Sequence, residues 1–149
     1  MDTESEGSVV PRLLELLDLD VHALVFLRYP ASINVDGFVI PIPRKKLALY
    51  RRQAQKAGKI WRELGAVEFR ECAGDDLNTK GVGMPFPKLA KLKPGETVMF
   101  SWIVYKSRAQ RDRVNAKVMK DPRIAKMMNV MPFDVKRMTY GGFRMIVDA

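Results

Sequence analysis

The sequence predicts an α+β protein: a four-stranded antiparallel sheet with both main helices on one face, in the order strand, helix, strand, strand, helix, strand. Three observations carry the prediction. Residues 97–105, TVMFSWIVY, form an uncharged run of aromatic and β-branched side chains, as a central strand requires. Residues 44–65 place Leu47, Tyr50, Ala54, Ala57, Trp61 and Leu64 at helical spacing on one stripe. Alternating apolar strings open and close the stretch from Val35 onward. The order is that of the split βαβ, ferredoxin-like arrangement.

Each element has a local reason. In VDGFVIPIP, Phe38, Ile40 and Ile42 share one face of a first strand, with Gly37, Val39 and Pro41 on the other. Pro41 and Pro43 lack amide donors, so the end of that strand should pair on one side only. The first helix follows, and Gly65 stands where a C-terminal cap is expected. AVEFREC (66–72) alternates as a half-exposed strand, Val67, Phe69 and Glu71 opposing Glu68, Arg70 and Cys72. Residues 73–93 then make a long loop with Gly74, Gly81, Gly83, Pro85 and Pro87. A segment of that length is expected to move or to cover something. The central strand puts Val98, Phe100, Trp102 and Val104 on one face and Thr97, Met99, Ser101, Ile103 and Tyr105 on the other.

After it, Ser107 with Gln110 reads as a capping box opening a second helix through Val114, Val118 and Met119. Asp121-Pro122 caps and opens a shorter one bearing Ile124, Met127, Met128 and Met131, and these methionines are assigned to the core. GFRMIVD (142–148) is the last strand. Both faces of residues 97–105 are apolar, but the chain has helices for only one. A second copy is therefore expected on the other, a homodimer through the open sheet face.

Composition limits the function classes. A chain of 149 residues, 47% hydrophobic, is one domain with a true core. Residues 1–34 differ in character, with an acidic tip, a helix-like PRLLELLDL and the only histidine, His22. They read as an N-terminal extension, docked, disordered or arising from a misplaced start, ahead of a domain at 35–149. One cysteine, Cys72, rules out an internal disulfide framework, which suggests the cytoplasm. It is expected to be a buried, inert thiol. No apolar run approaches the roughly 20 residues of a membrane span, and the acidic start is unlike an export signal.

With no histidine after residue 34, His-ligated haem, His-rich zinc sites and Ser-His or Cys-His nucleophile pairs drop out. No glycine-rich phosphate loop is present, and neither a metal nor a cofactor is expected. The net charge of +9 is concentrated: residues 44–63 hold eight basic side chains and one acidic. Such a helix face suits solubility or the attraction of an anion.

Five strings in order, VDGFVIPIP, ECAGDD, VMFSWIVYKS followed by RD, VMKDPR and MPFDVKRMTYGGF, resemble the YbaA-like family of small bacterial proteins, a domain of unknown function. The resemblance covers Val35 to the C-terminus. It implies a protomer of the dimeric α/β barrel superfamily and no particular activity, since fold does not carry function.

Two readings of function follow from the residues. In the first, a cavity between the sheet and the 73–93 loop holds a small organic molecule, with cofactor-free oxidation or isomerisation as the chemistry it would host. Its candidate residues are Asp75 and Asp76, whose adjacent carboxylates can share a proton, Trp102 as a wall, and Asp134 and Tyr140 as orienting groups. Ser101 and Ile103 are the neighbours expected on the opposite face of the strand. In the second reading, Arg51, Lys56 and Lys59 on the first helix bind RNA or another polyanion. The central strand lacks the glycine and basic residue of an RRM motif, which weighs against the sheet as an RNA platform.

Overall fold

A computed structural model describes residues 33–149. The helix-like stretch near Pro11, His22 and most of the proposed extension lie outside the described residues. Strand β1 spans Asn34–Pro43, a 3-10 turn Arg44–Lys46 leads into helix α1, Leu47–Glu63, and β2 is Glu68–Ala73. A four-residue helix α2, Phe86–Leu89, interrupts the long loop before β3, Glu96–Tyr105. Helices α3, Arg108–Lys120, and α4, Pro122–Met128, follow, then a 3-10 turn Val135–Arg137 and β4, Thr139–Arg144. The strands form one sheet in the order β2-β3-β1-β4, and every neighbouring pair is antiparallel.

The inner strands are β1 and β3, paired from Asn34↔Tyr105 to Pro43↔Glu96. Strand β4 pairs with β1 only as far as Val39. Pro41 and Pro43 therefore lie on a stretch bonded on one side, where a missing N–H breaks no ladder. Asn34 is a buried member of β1.

The helices pack on the face that carries Met99, Ser101, Ile103 and Tyr105. Ile60, Ala66, Ile103, Tyr105, Val114, Val118 and Ile124 form one core cluster, and Ile40, Ile42, Tyr50 and Met99 form a second. Ile60, outside the predicted stripe, is among the most buried residues of α1. Gly58, beside it, lets the helix approach the sheet: a Cβ there would stand 2.8 Å from Phe69 Cδ1.

The helix boundaries follow from the capping residues. Gly65, with φ +121°, ends α1; the Ala66 amide reaches back to Trp61 O and that of Gly65 to Arg62 O, which is a Schellman motif. Ser107 caps α3 by accepting from the Gln110 amide at 3.1 Å. The Gln110 side chain accepts in turn from the Lys106 amide at 2.6 Å and donates to Gly65 O at 3.0 Å, joining the start of α3 to the end of α1. Asp121 caps α4 through the Arg123 amide.

Three local expectations need correction. The last strand starts earlier and stops earlier than 142–148: among the described residues its register on β1 ends at Asn34↔Arg144, and the Met145 amide extends the ladder to Ile33 O. The glycines Gly141 and Gly142 conceal its strand character in the sequence. The methionines divide: Met127 and Met131 are half-buried, while Met119 and Met128 are exposed. Cys72 is exposed, not buried, because on the edge strand it shares the parity of Phe100, away from the helices.

On the sheet face away from the helices α1 and α3, Phe86 of α2 packs on Phe100, and Phe100 on Trp102, at centroid distances of 5.8 and 5.7 Å. The loop thus runs to the side of the sheet opposite the helices. Phe100 remains 45% exposed and Phe143 62%. Among the described residues no helix is long and apolar enough to cross a membrane.

Candidate ligand-binding site

Beneath α1 and α4, against the helix-bearing face of the sheet, lies a cavity of about 190 Å³. Phe38, Phe69, Phe133, Trp61 and Ile103 supply aromatic and aliphatic walls, and Met127, Met131 and Met138 fill its flank. The polar groups are few. Glu71, from the edge strand β2, accepts hydrogen bonds from Tyr50 Oη of α1 at 2.6 Å and from Ser101 Oγ of β3, both on Oε2.

The alternation of β2 explains this placement. Val67, Phe69 and Glu71 share one parity, and pairing of Phe69 with Ile103 and of Glu71 with Ser101 turns that parity toward the helices. Glu71 is thus an acid where the pattern calls for an apolar residue. Burial raises its carboxyl above the usual range, although the Ser101 and Tyr50 hydrogen bonds act in the opposite direction. Burial also pushes the Tyr50 phenol up, reinforced by the nearby Glu71 charge. Oε1 makes no hydrogen bond among the described residues, which leaves it as the free polar atom of the anchor.

A second opening adjoins the first. Tyr50, Ala54, Phe69 and Glu71 line both the cavity and a wider groove between α1 and β2, of about 980 Å³. Glu71 and the small Ala54 therefore stand where the two spaces adjoin.

A separate buried network holds the far end of the sheet. Asp36 of β1, almost wholly buried, pairs with Arg111 Nε of α3 and accepts from Asn115 Nδ2 at 2.9 Å and Tyr105 Oη at 3.2 Å. Tyr105 also donates to Asn115 Oδ1 at 2.8 Å, and Trp61 Nε1 reaches the same oxygen at 3.3 Å. Burial, then the Asp36 charge, raises the Tyr105 phenol. Desolvation pulls Arg111 down, but the hydrogen bond and charge of Asp36 outweigh it.

The predicted site residues are dispersed in this structure. Asp75 and Asp76 are exposed in the loop after β2. Trp102 is half-buried on the other side of the sheet from the cavity. Tyr140 stacks on Phe38 at 5.0 Å and accepts from Arg111 Nη2 at 2.6 Å, so it belongs to the Asp36 network. Asp134 caps the 3-10 turn Val135–Arg137 by accepting from the Lys136 amide at 3.0 Å.

Ser101 and Ile103 do line the cavity. Residues 75–92 line neither it nor the groove, so the cavity occupies a different place from the one expected under the loop. Arg51, Lys56 and Lys59 are exposed along α1. Among the described residues, no three His, Cys, Asp or Glu side chains come together as a metal site.

A four-stranded antiparallel sheet of this order, carrying its helices on one face with a cavity beneath them, defines a small α+β protein. Residues 34–135 match the family described as "Protein of unknown function (DUF1428)", and the chain belongs to that family. It is similar to the "Uncharacterized protein YbaA" of Escherichia coli (strain K12), 44% identical over 114 residues that cover 76% of this chain and 97% of that protein. The proteins of the same name from Escherichia coli O157:H7 and Shigella flexneri match equally.

Proposed function

We propose that the protein binds a small organic molecule in the cavity under α1 and α4. The observation that carries this reading is the Glu71–Tyr50–Ser101 cluster, an orienting polar group in an otherwise apolar chamber, which is how small-molecule sites are commonly built. The topology β2-β3-β1-β4 supports a ferredoxin-like protomer. The exposed Phe100 and Phe143 beside Trp102 support a homodimer through the open sheet face, a dimeric α/β barrel. The lone cysteine and the absence of a membrane-length helix among the described residues agree with a cytoplasmic place.

A metabolite screen by thermal shift tests the binding reading, run on wild type and on Glu71→Gln and Ala54→Met. Hits weakened by both changes support the cavity. Polyanion binding that is steep in salt, indifferent to those two changes and abolished by neutralising Arg51, Lys56 and Lys59 would replace it with the basic-helix reading. Light scattering tests the dimer, for which a monodisperse 17.0 kDa species at micromolar concentration is the contrary result.

A further inference from the structure

Resting on the cavity reading, we propose that the ligand is an amphiphilic anion: an apolar, flat body in the chamber and a carboxylate or comparable anionic group in the groove between α1 and β2. The two spaces share Tyr50, Ala54, Phe69 and Glu71 in their linings, so they adjoin there, and the proposed ligand would cross beside these side chains. Their linings differ in kind. The chamber carries thioethers and aromatic rings with Glu71 as its acid, whereas the groove is bordered by Arg51, Lys59, Arg62 and Arg70.

The groove's acids are already engaged. Glu63 pairs with Arg123 at 3.0 Å, Glu68 lies 3.9 Å from Arg70, and Glu71 receives Tyr50 and Ser101. Arg51, Lys59 and Arg62 pair with no carboxylate among the described residues. An anion entering the groove meets cations that need not break an existing described ion pair to receive it. Glu71 would repel it least with its proton retained, the state that burial favours.

Close packing limits where the two spaces can join. Gly58 lies against Phe69, and Trp61 packs on the same ring at 5.8 Å, so this ring stands between chamber and groove at that level of α1. The crossing would lie nearer Ala54 and Glu71. Arg51, one residue after Tyr50, is the cation closest to that crossing along the helix.

The test uses the full chain carrying Trp102→Phe, which leaves Trp61, on the cavity wall, as the fluorescent reporter. Two probes of matched shape are titrated, 2-naphthoate and neutral 2-naphthamide. The expected result is quenching by both, with 2-naphthoate bound about tenfold more tightly. In Arg51→Gln/Lys59→Gln/Arg62→Gln that advantage should disappear and weaken with salt in the parent, while 2-naphthamide affinity stays unchanged.

Equal affinity for the two probes in the parent protein overturns the anion inference and leaves the cavity reading standing. A preference for 2-naphthoate that survives the triple substitution overturns the assignment of these three cations. Binding of neither probe overturns the inference together with the chamber it depends on. Circular dichroism of each variant confirms that a lost preference is not a lost fold, and the three substituted side chains are exposed.

Discussion

Asp36 and Arg111 stand 75 positions apart in the chain and form an ion pair in which the carboxylate is 2% exposed and the guanidinium 17%. The pair ties the inner strand β1 to α3. Asn115, Tyr105 and Tyr140 hold the remaining lone pairs of the carboxylate. Arg111→Met would leave a buried charge without its partner, so we predict a loss of about 3–5 kcal/mol in chemical denaturation. Asp36→Asn combined with Arg111→Met should cost markedly less than Arg111→Met alone. A double variant as unstable as the single one would show that the pair acts through packing and not through charge.

Glu71 predicts a pH signature of its own. Its folded-state value is raised, so the folded chain holds this proton more tightly than the unfolded one. Ionisation therefore costs stability as pH rises from the unfolded glutamate value of about 4.3 through the raised folded value. Glu71→Gln keeps an acceptor for Tyr50 and Ser101 but has no proton to lose. The stability of the variant relative to wild type should be lowest near pH 4 and should increase toward pH 7, measured by urea unfolding. A difference independent of pH would show that the carboxyl ionises as freely in the fold as outside it.

The sign is opposite for Glu96. Arg137 grips both its oxygens, at 2.6 and 2.9 Å, and donates to Lys91 O at 2.9 Å. The hydrogen bonds from Arg137, more than any other cause, hold the carboxyl down at about 2. Its contribution is present above the unfolded value and is lost as pH falls toward about 2. Glu96→Gln should lower the thermal midpoint by on the order of a few degrees at pH 7, and the gap to wild type should close in acid.

Gly58 sets up a contest between helix propensity and packing. Alanine is favoured over glycine inside a helix by about 1 kcal/mol, but its Cβ would meet the Phe69 ring at 2.8 Å. We predict that Gly58→Ala destabilises by about 1–2 kcal/mol. Phe69→Leu, which removes the obstructing ring, should make the alanine neutral or favourable in the double variant. A stabilising single substitution would show that the ring can move aside.

The strands and main helices were legible because their signals are local. The run 97–105, the stripe from Leu47 to Leu64, the Gly65 stop and the Ser107 and Asp121 caps all fall where periodicity and capping chemistry place them. The last strand was misplaced because two glycines hide its pattern. Glu71 was visible as an acid on the apolar parity of β2, yet its partners Tyr50 and Ser101 lie 21 and 30 positions away. No spacing rule joins them until the register of β2 on β3 is known. Asp36 and Arg111 were not singled out for the same reason, whereas Tyr140 was noticed within its motif without its partners.

Strand β1 comes first among the described elements, yet both strands that flank it, β3 and β4, lie beyond residue 95. As the polypeptide leaves the ribosome, β1 and α1 emerge while neither strand partner has been made. β1 gains its first neighbour only once Tyr105 is free, and its second only near the C-terminus. The sheet therefore cannot close progressively during translation. Its apolar inner strand depends on late, long-range contacts that form slowly, so the growing chain carries β1 without a strand partner until β3 is made.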